Sequence, residues 1–218
     1  AQDHKRAYDD DKGPNTGGMG VYSPVPFVTN EELSQMIAIE QRVVDQLKKE
    51  GINYSGCLYG GFMLTKDGPK VLEFNARFGD PETQVVLPRL QGDLVSILMA
   101  CDNGTLRHQQ VSWSDTVAVS VVLASAGYPG SYEKGKEITG IEAAQQLEGV
   151  SVYHAGTAQT EDGKIVTAGG RVLNVTALAP TFEEARARAY EACDLINFEG
   201  KQLRHDIGLK ALQGRPEK

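Results

Sequence analysis

Near the middle of the chain a carboxylate and an amide stand two residues apart, as Glu73 and Asn75, and Arg77 follows two residues later. Because alternate residues of a β-strand point to the same face, Glu73 and Asn75 are expected to project together, with Phe74 on the opposite, apolar side. Their oxygens are hard ligands of the kind that Mg²⁺ accepts beside water and phosphate. The Arg77 guanidinium is suited to stabilising a transferring phosphoryl group. The same pattern also fits a polar strand end with a surface salt bridge.

A second candidate site is the run of residues 13–20, which is rich in glycine and includes Asn15 and Thr16. Successive backbone N–H groups in such a turn can form an anion-binding nest, to which these two side chains would add donors. The run lacks the Gly-Lys-Ser/Thr ending of a Walker loop. A plain mobile loop is the alternative interpretation. Lys5, close before it, could contact a phosphate as a point charge.

Three further residues could serve either chemistry or structure. Arg171 and Arg204 are basic positions that could reach a substrate phosphate. Asp80 precedes a proline, and this order is typical of a helix N-cap followed by the first helical residue. Asp80 therefore has a structural role to weigh against a catalytic one.

The first half of the chain must position most of these residues. Residues 1–29 are expected to be rich in loops, and a helix is predicted from Asn30, as N-cap, to about Glu50. Strands are predicted at about 56–65 and 70–75, joined by a turn that contains Asp67 and Gly68. Helices are expected from Asp80 and over about 93–101.

The second half has a different pattern. Strands are predicted at 117–124, 150–154, 164–167 and 171–176, and a helix at 181–196 opens with the capping-box residues Thr181 and Glu184. We place a domain boundary near residue 105, which divides the chain into residues 1–105 and 106–218.

Composition narrows the functional classes. The chain of 218 residues has 22 basic and 29 acidic residues, a net charge of −7, and no basic block, so we expect no nucleic-acid partner. No apolar run approaches the ~18 residues of a membrane span, so we expect no membrane partner. The three cysteines are scattered, which favours a reducing compartment, and we expect the protein to be cytoplasmic.

Several of these segments together resemble one family, the phosphoribosylamine–glycine ligases (glycinamide ribonucleotide synthetases) of the ATP-grasp superfamily. The matching segments are residues 2–6, 13–20, 73–84, 127–130, 154–157 and 169–172. The resemblance implies an α+β fold, with the carboxy-terminal part of an ATP-grasp core, mostly antiparallel sheet with helices, followed by a small mixed α/β carboxy-terminal domain. It also implies that the family's amino-terminal half is missing from this chain.

The resemblance implies a reaction of purine biosynthesis, in which ATP phosphorylates the carboxylate of glycine and the amine of phosphoribosylamine attacks the glycyl phosphate. Mg²⁺ or Mn²⁺ would be the cofactor and ATP a substrate. The implied roles are metal binding by Glu73 and Asn75, nucleotide binding by Lys5, catalysis by Arg77 and Asp80, and substrate binding by Asn15, Thr16, Gly17, Gly18, Arg171 and Arg204.

The sequence departs from the family pattern at two places. Residues 59–62 offer no acidic metal ligand, and His205 stands where the family usually has lysine. Two alternatives stay open: another ATP-grasp ligase joining a carboxylate to an amine, and a non-catalytic fragment or binding module.

Overall fold

Short strands and helices follow one another along residues 1–215, the part of the chain that this computed structural model describes. The strands are β1 (Gln2–Asp3), β2 (Arg6–Tyr8), β3 (Lys12–Asn15), β4 (Gly20–Ser23), β5 (Tyr59–Thr65), β6 (Gly68–Asn75), β7 (Leu90–Gln91), β8 (Ser112–Trp113), β9 (Val117–Ser125), β10 (Val150–His154), β11 (Thr157–Gln159), β12 (Ile165–Thr167), β13 (Arg171–Ala179) and β14 (Lys201–Gln202). The helices are α1 (Asn30–Lys49), α2 (Thr83–Val86), α3 (Leu94–Asp102), α4 (Ile141–Gln145), α5 (Phe182–Leu195) and α6 (Leu209–Gln213).

Backbone contacts divide the chain into two compact units, each assembled from separate stretches of sequence. Unit 1 contains Ala1–Val25, Asp80–Arg89 and the described residues from Ser114 onward, and unit 2 contains Pro26–Gly79 and Leu90–Trp113. These units cross the boundary near residue 105, because Val85 is buried in unit 1 with Val21 and Ala118. The division into residues 1–105 and 106–218 stays a prediction.

Unit 1 is built on a six-stranded antiparallel sheet in the order β1-β4-β9-β13-β10, with β14 also paired to β9. Every residue of β9 is buried, since both faces of this strand are covered. One face packs against α5, whose small residues Ala185, Ala189 and Ala192 allow a close approach. The predicted strands and the α5 helix are present, and the Thr181 side chain caps α5 by accepting from the Glu184 N–H.

Unit 2 combines α1, the β5–β6 hairpin, the β7–β8 pair and α3. The hairpin is antiparallel, as predicted, and Thr65 pairs with Gly68 across the Lys66-Asp67 turn. The predicted N-cap of α1 is wrong by one residue: Thr29 is the cap, and its hydroxyl accepts from the Glu32 N–H while the Glu32 carboxylate accepts from Thr29. Ala100 is the one buried hydrophobic residue of this unit among the described residues.

One expectation for the first part of the chain is refined and another is corrected. Residues 1–29, expected to be rich in loops, also contain four short strands, and the backbone of residues 2–3 and 20–23 pairs into the central sheet. Asp80 does not cap a helix: α2 begins at Thr83, and the Asp80 carboxylate instead contacts Arg171 and Gln84. Over residues 1–215 we find no helix with the length and apolar character needed to cross a membrane.

Candidate functional site

The residues predicted to bind metal lie at the end of β6 in unit 2. Asn75 pairs with Tyr59 and Glu73 with Gly61 across the hairpin. The absence of a side chain at Gly61 leaves room for Glu73, since a Cβ there would lie 3.2 Å from the Glu73 Cγ and 3.7 Å from a Tyr59 ring carbon. Glu73, Asn75, Tyr59 and Gly61 therefore share one face of the hairpin, as strand alternation requires.

The donor set on this face fits a hard divalent cation. The Glu73 side chain is exposed, and the Asn75 side chain has a buried amide nitrogen that lacks a hydrogen-bond partner within the described residues. A carboxylate oxygen and an amide oxygen on one face suit Mg²⁺, which takes the rest of its shell from water and phosphate. No group of three or more His, Cys, Asp or Glu side chains is placed to bind a metal in residues 1–215. These two residues can thus supply only part of a shell.

The opposite face of the hairpin, which carries Phe74, packs against α1. The Phe74 ring lines a shallow groove with apolar residues of α1, including Ile39, Val43 and Leu47. Glu40 of the same helix lies over Gly60, where a Cβ would come within 2.4 Å of its carboxylate oxygen. Burial raises the pKa of Glu40, and a hydrogen bond from the Gly60 backbone partly offsets this. This carboxylate is therefore on the face away from Glu73 and Asn75.

Arg77 follows the strand on the surface of unit 2. Its side chain is exposed, and its Nη1 donates to the Phe78 carbonyl at 3.1 Å. No acidic side chain of the described residues forms a hydrogen bond or salt bridge with Arg77. The alternative interpretation of this segment, a polar strand end closed by a surface salt bridge, therefore does not describe this structure.

In unit 1, Arg171 joins three parts of the sequence that are far apart. Its Nη1 donates to the Gly17 carbonyl at 2.8 Å and to the Asp80 carbonyl at 2.9 Å, and its Nη2 pairs with the Asp80 carboxylate at 2.9 Å. The structure thus brings together Gly17, Asp80 and Arg171, which were singled out separately in the sequence. We call these three residues with Gly18 the Arg171 cluster.

The glycine-rich loop beside Arg171 is fixed by internal hydrogen bonds. The Thr16 N–H donates to Lys5, the Gly17 N–H to the Tyr128 hydroxyl, and the Gly18 N–H to the Thr16 hydroxyl. Because each of these N–H groups has an acceptor in the protein, the loop is not an open anion nest, and that interpretation is wrong for this structure. Asn15 and Gly17 remain exposed, whereas Gly18 is buried.

A buried carboxylate lies directly beneath this loop. A Cβ on Gly18, whose φ is +121°, would come within 2.7 Å of the Asp3 carboxylate and 2.6 Å of the Pro81 ring. Asp3 forms an ion pair with Lys5, whose side chain is half exposed. Burial raises the pKa of Asp3 to about 6, although the nearby Lys5 charge opposes this rise. Lys5 is therefore held close to the Arg171 cluster by a carboxylate that is costly to ionise.

Arg204 is not part of this cluster. Its side chain is fully buried, its Nε and Nη2 bind the Asp206 carboxylate at 2.7 and 2.6 Å, and its Nη1 contacts Asp11 at 3.0 Å and the Arg6 carbonyl at 3.1 Å. All three guanidinium nitrogens are engaged within the protein. The neighbouring His205 is exposed and lies 3.3 Å from Asp9. We therefore leave Arg204 out of the candidate site.

Sequence reasoning missed two members of the site in unit 1. Neither Asp3 nor Tyr128 was singled out as a candidate site residue. Both lie within segments that carry the family resemblance, residues 2–6 and 127–130, which is the signal that could have identified them. The hydrogen bond between Gly17 and Tyr128 cannot be predicted from the sequence, because only the fold brings these two residues together.

Comparison with known proteins gives one consistent result along the chain. Residues 1–83 match the family model described as phosphoribosylglycinamide synthetase, ATP-grasp (A) domain, and residues 118–210 match that of its C domain. The chain is 51% identical to phosphoribosylamine–glycine ligase of Caldanaerobacter subterraneus, over 95% of this chain and 49% of that protein. It is 53% identical to the trifunctional purine biosynthetic protein adenosine-3 of Gallus gallus, over 97% of this chain and 21% of that protein.

Solved structures agree with these matches. The crystal structure of phosphoribosylamine–glycine ligase from Thermotoga maritima superposes with a TM-score of 0.80 at 40% identity, covering 94% of this chain and 50% of that one. The biotin carboxylase subunit of pyruvate carboxylase has a TM-score of 0.59 at 18% identity, covering 85% of this chain and 40% of that one, and so shares the fold alone. The chain spans about half the length of the single-function relatives that it matches.

Proposed function

Because this chain belongs to the phosphoribosylglycinamide synthetase family, we propose that it forms about half of an ATP-dependent ligase that joins glycine to 5-phosphoribosylamine. The family matches confirm the family predicted from the sequence, and the superposition on the ligase from Thermotoga maritima confirms the predicted α+β, ATP-grasp fold. The products would be glycinamide ribonucleotide, ADP and phosphate. The observation that carries the proposal is the identity of about half of all aligned residues to such a ligase over nearly the whole chain.

In the proposed site, Glu73 and Asn75 hold Mg²⁺ or Mn²⁺. Their shared face and hard oxygen donors support this role, and the shell would be completed by water and by the phosphates of ATP. The bound cation would lower the charge repulsion between those phosphates and the attacking carboxylate. Arg77 is an exposed guanidinium two residues beyond the strand end and would stabilise the acyl phosphate electrostatically.

The Arg171 cluster has a different role in the proposal, which is to form one wall of the substrate site. Gly17 is exposed beside Asn15, and the Arg171 contacts hold it in place. The Asp80 carboxylate orients Arg171 by one charge-assisted hydrogen bond from Nη2, so we assign Asp80 to positioning rather than to direct chemistry. Lys5, oriented by Asp3, would contact a phosphate.

The test uses a full-length ligase that contains this chain. Purified enzyme should release ADP only when Mg²⁺, glycine and phosphoribosylamine are all present. Glu73→Gln keeps the side-chain shape and removes the charge, and its kcat/KM should be more than about 100-fold lower. Replacing a residue that only hydrogen-bonds to a metal ligand typically costs about 10- to 100-fold, and Glu73 is proposed to be a ligand itself. Glu31→Gln, on the exposed first turn of α1, is the matched control and should be unaffected.

Two results would count against this proposal. ADP release that needs a different carboxylate or amine would point to another ATP-grasp ligase. Full turnover by Glu73→Gln would remove the metal assignment while leaving the family membership unchanged.

We further propose that the missing amino-terminal half of the ligase covers unit 2. Of the eighteen large apolar side chains that are exposed among the described residues, fifteen belong to unit 2. They are Leu33, Ile37, Val44, Ile52, Met63, Val71, Leu72, Phe74, Phe78, Val95, Leu98, Met99, Leu106, Val111 and Trp113. A unit of two helices and two short strand pairs with almost no buried core is expected to need further packing, and the single-function relatives are about twice as long.

Mixing this chain with the complementary half of the ligase should give a one-to-one complex, measured by light scattering. Leu72→Lys, which changes the most exposed of these side chains at 64%, should weaken the complex, whereas Leu212→Lys in unit 1 should not. Assembly of this chain with itself in place of the other half would contradict the proposal.

A cytoplasmic location is also proposed, and the three free cysteines support it.

A further inference from the structure

Tyr128 makes a contact with the glycine-rich loop that the predicted reaction does not account for. Its hydroxyl accepts the Gly17 N–H at 3.0 Å, while the Gly17 carbonyl accepts from Arg171 at 2.8 Å. Both polar groups of one exposed glycine are therefore held by side chains that lie more than a hundred residues away in sequence. A glycine in an exposed loop gains much backbone freedom unless such contacts restrict it.

The Tyr128 ring is itself fixed against the residue that precedes Arg171. A Cβ on Gly170 would lie 2.2 Å from the Tyr128 Cδ2, so the ring rests directly on the Gly170 backbone. The Gly170 carbonyl in turn accepts from the Ser125 N–H at 2.8 Å, at the end of the buried strand β9. Tyr128 thus links the loop at Gly17 to the backbone just before the strand that begins at Arg171.

We propose that Tyr128 is a positioning residue for the non-nucleotide substrates, acting through Gly17. This inference rests on the proposed function, in which residues 15–18 and Arg171 line the substrate site. The hydroxyl would fix the Gly17 peptide in the orientation that the bound substrate meets. It forms and breaks no bond with the substrate.

Tyr128→Phe tests the proposal because it keeps the ring on Gly170 and removes only the acceptor. Tyr132→Phe is the matched control: its ring centroid lies 6.4 Å from that of Tyr128, and its hydroxyl makes no hydrogen bond within residues 1–215. Since Gly17 is exposed, water can satisfy its N–H in the Phe variant, and thermal stability should change little. The expected effect of Tyr128→Phe is instead a less ordered loop around Gly17.

Two measurements on the full-length ligase separate the outcomes. Amide hydrogen exchange at Gly17 should become at least about tenfold faster in Tyr128→Phe and stay unchanged in Tyr132→Phe. The KM for glycine or for phosphoribosylamine should rise about threefold to tenfold, the range expected for one hydrogen bond, while the KM for ATP stays within about twofold.

Unchanged exchange at Gly17 would overturn the proposal. So would faster exchange with all KM values unchanged, because Tyr128 would then order the loop without affecting substrate. An equal rise in the KM for ATP would also overturn it, since that result indicates general damage. If the unaltered ligase formed no product, the proposed function would fail, whereas the exchange comparison would still decide whether Tyr128 fixes Gly17.

Discussion

Replacing Arg204 by methionine should destabilise unit 1 severely. The guanidinium is fully buried and binds Asp206 through two nitrogens, with further contacts to Asp11 and the Arg6 carbonyl. Removing one partner of a buried ion pair costs about 3–5 kcal/mol when the remaining charge stays buried. Here the Asp206 and Asp11 side chains keep 19% and 43% of their exposure, so water can reach both, and we expect a loss of about 2–3 kcal/mol.

The assay is amide hydrogen exchange of β9, because this strand lies at the centre of the unit 1 sheet and its exchange reports the opening of that unit. A loss of 2–3 kcal/mol corresponds to exchange that is about 30- to 150-fold faster. Arg188→Met is the matched control, since Arg188 makes only two hydrogen bonds of 3.4 Å, to backbone carbonyls, and no salt bridge in the described part of the chain.

The same variant should change the response of unit 1 to acid. Burial raises the pKa of Asp206, but hydrogen bonds from Arg204 and the Asp10 N–H outweigh this and lower it to about 2. A carboxyl with a lowered pKa stabilises the fold above its ordinary pKa near 4, and this contribution is lost as the pH falls from about 4 to about 2. Arg204→Met should lose most of that pH dependence.

Exchange in Arg204→Met no faster than in Arg188→Met would refute the reasoning, and a raised KM with normal stability would restore Arg204 to the substrate site.

Three further predictions concern local contacts. Gly18→Ala should cost about 2–4 kcal/mol in the free energy of unfolding, because its Cβ would clash with Pro81 and Asp3, whereas Gly163→Ala, with a φ of +86° and open space, should cost about 1 kcal/mol. Burial, together with the nearby Arg204 charge, lowers the pKa of His4 to about 4, so the wild-type protein should lose stability as the pH falls from 6.5 to 4, and His4→Gln should lose less. Asp3, whose pKa is raised, changes stability in the opposite direction in both proteins, so the difference between their stability-versus-pH profiles isolates His4. Thr29→Ala should remove the α1 capping box and cost about 1 kcal/mol, measured as a lower urea midpoint for helix loss.

Local patterns predicted most elements of the fold. The alternation around Glu73 and the Asp67-Gly68 turn were sufficient for the β5–β6 hairpin, and continuous apolar residues were sufficient for β9. These signals depend on neighbours in sequence. The N-cap of α1 was misplaced by one residue because Thr29 and Asn30 are both good caps, and only the reciprocal bonds with Glu32 distinguish them.

The site in unit 1 could be predicted only in part. The residue types of Gly17 and Arg171 were informative, but nothing in the sequence shows that Asp80 would bind Arg171 rather than cap a helix. The burial of Arg204 could not be predicted for a similar reason: a basic residue near the chain end is usually solvated, and Arg204 is buried beside carboxylates of Asp206 and of the distant Asp11. Pairings across long sequence separations carry no periodic signal.

The pairing of β4 with β9 also bears on how the chain is made. Gly20 lies opposite Val121 and Ser23 opposite Ala118, so this part of the sheet closes a loop of about a hundred residues that includes all of unit 2. Long-range strand pairing is slow because loop closure precedes any gain in contacts. During synthesis, β4 can pair with β1 early, but the edge of β4 that pairs with β9 stays open until β9 has left the ribosome. Chaperone dependence should therefore be greatest before residue 125 has emerged.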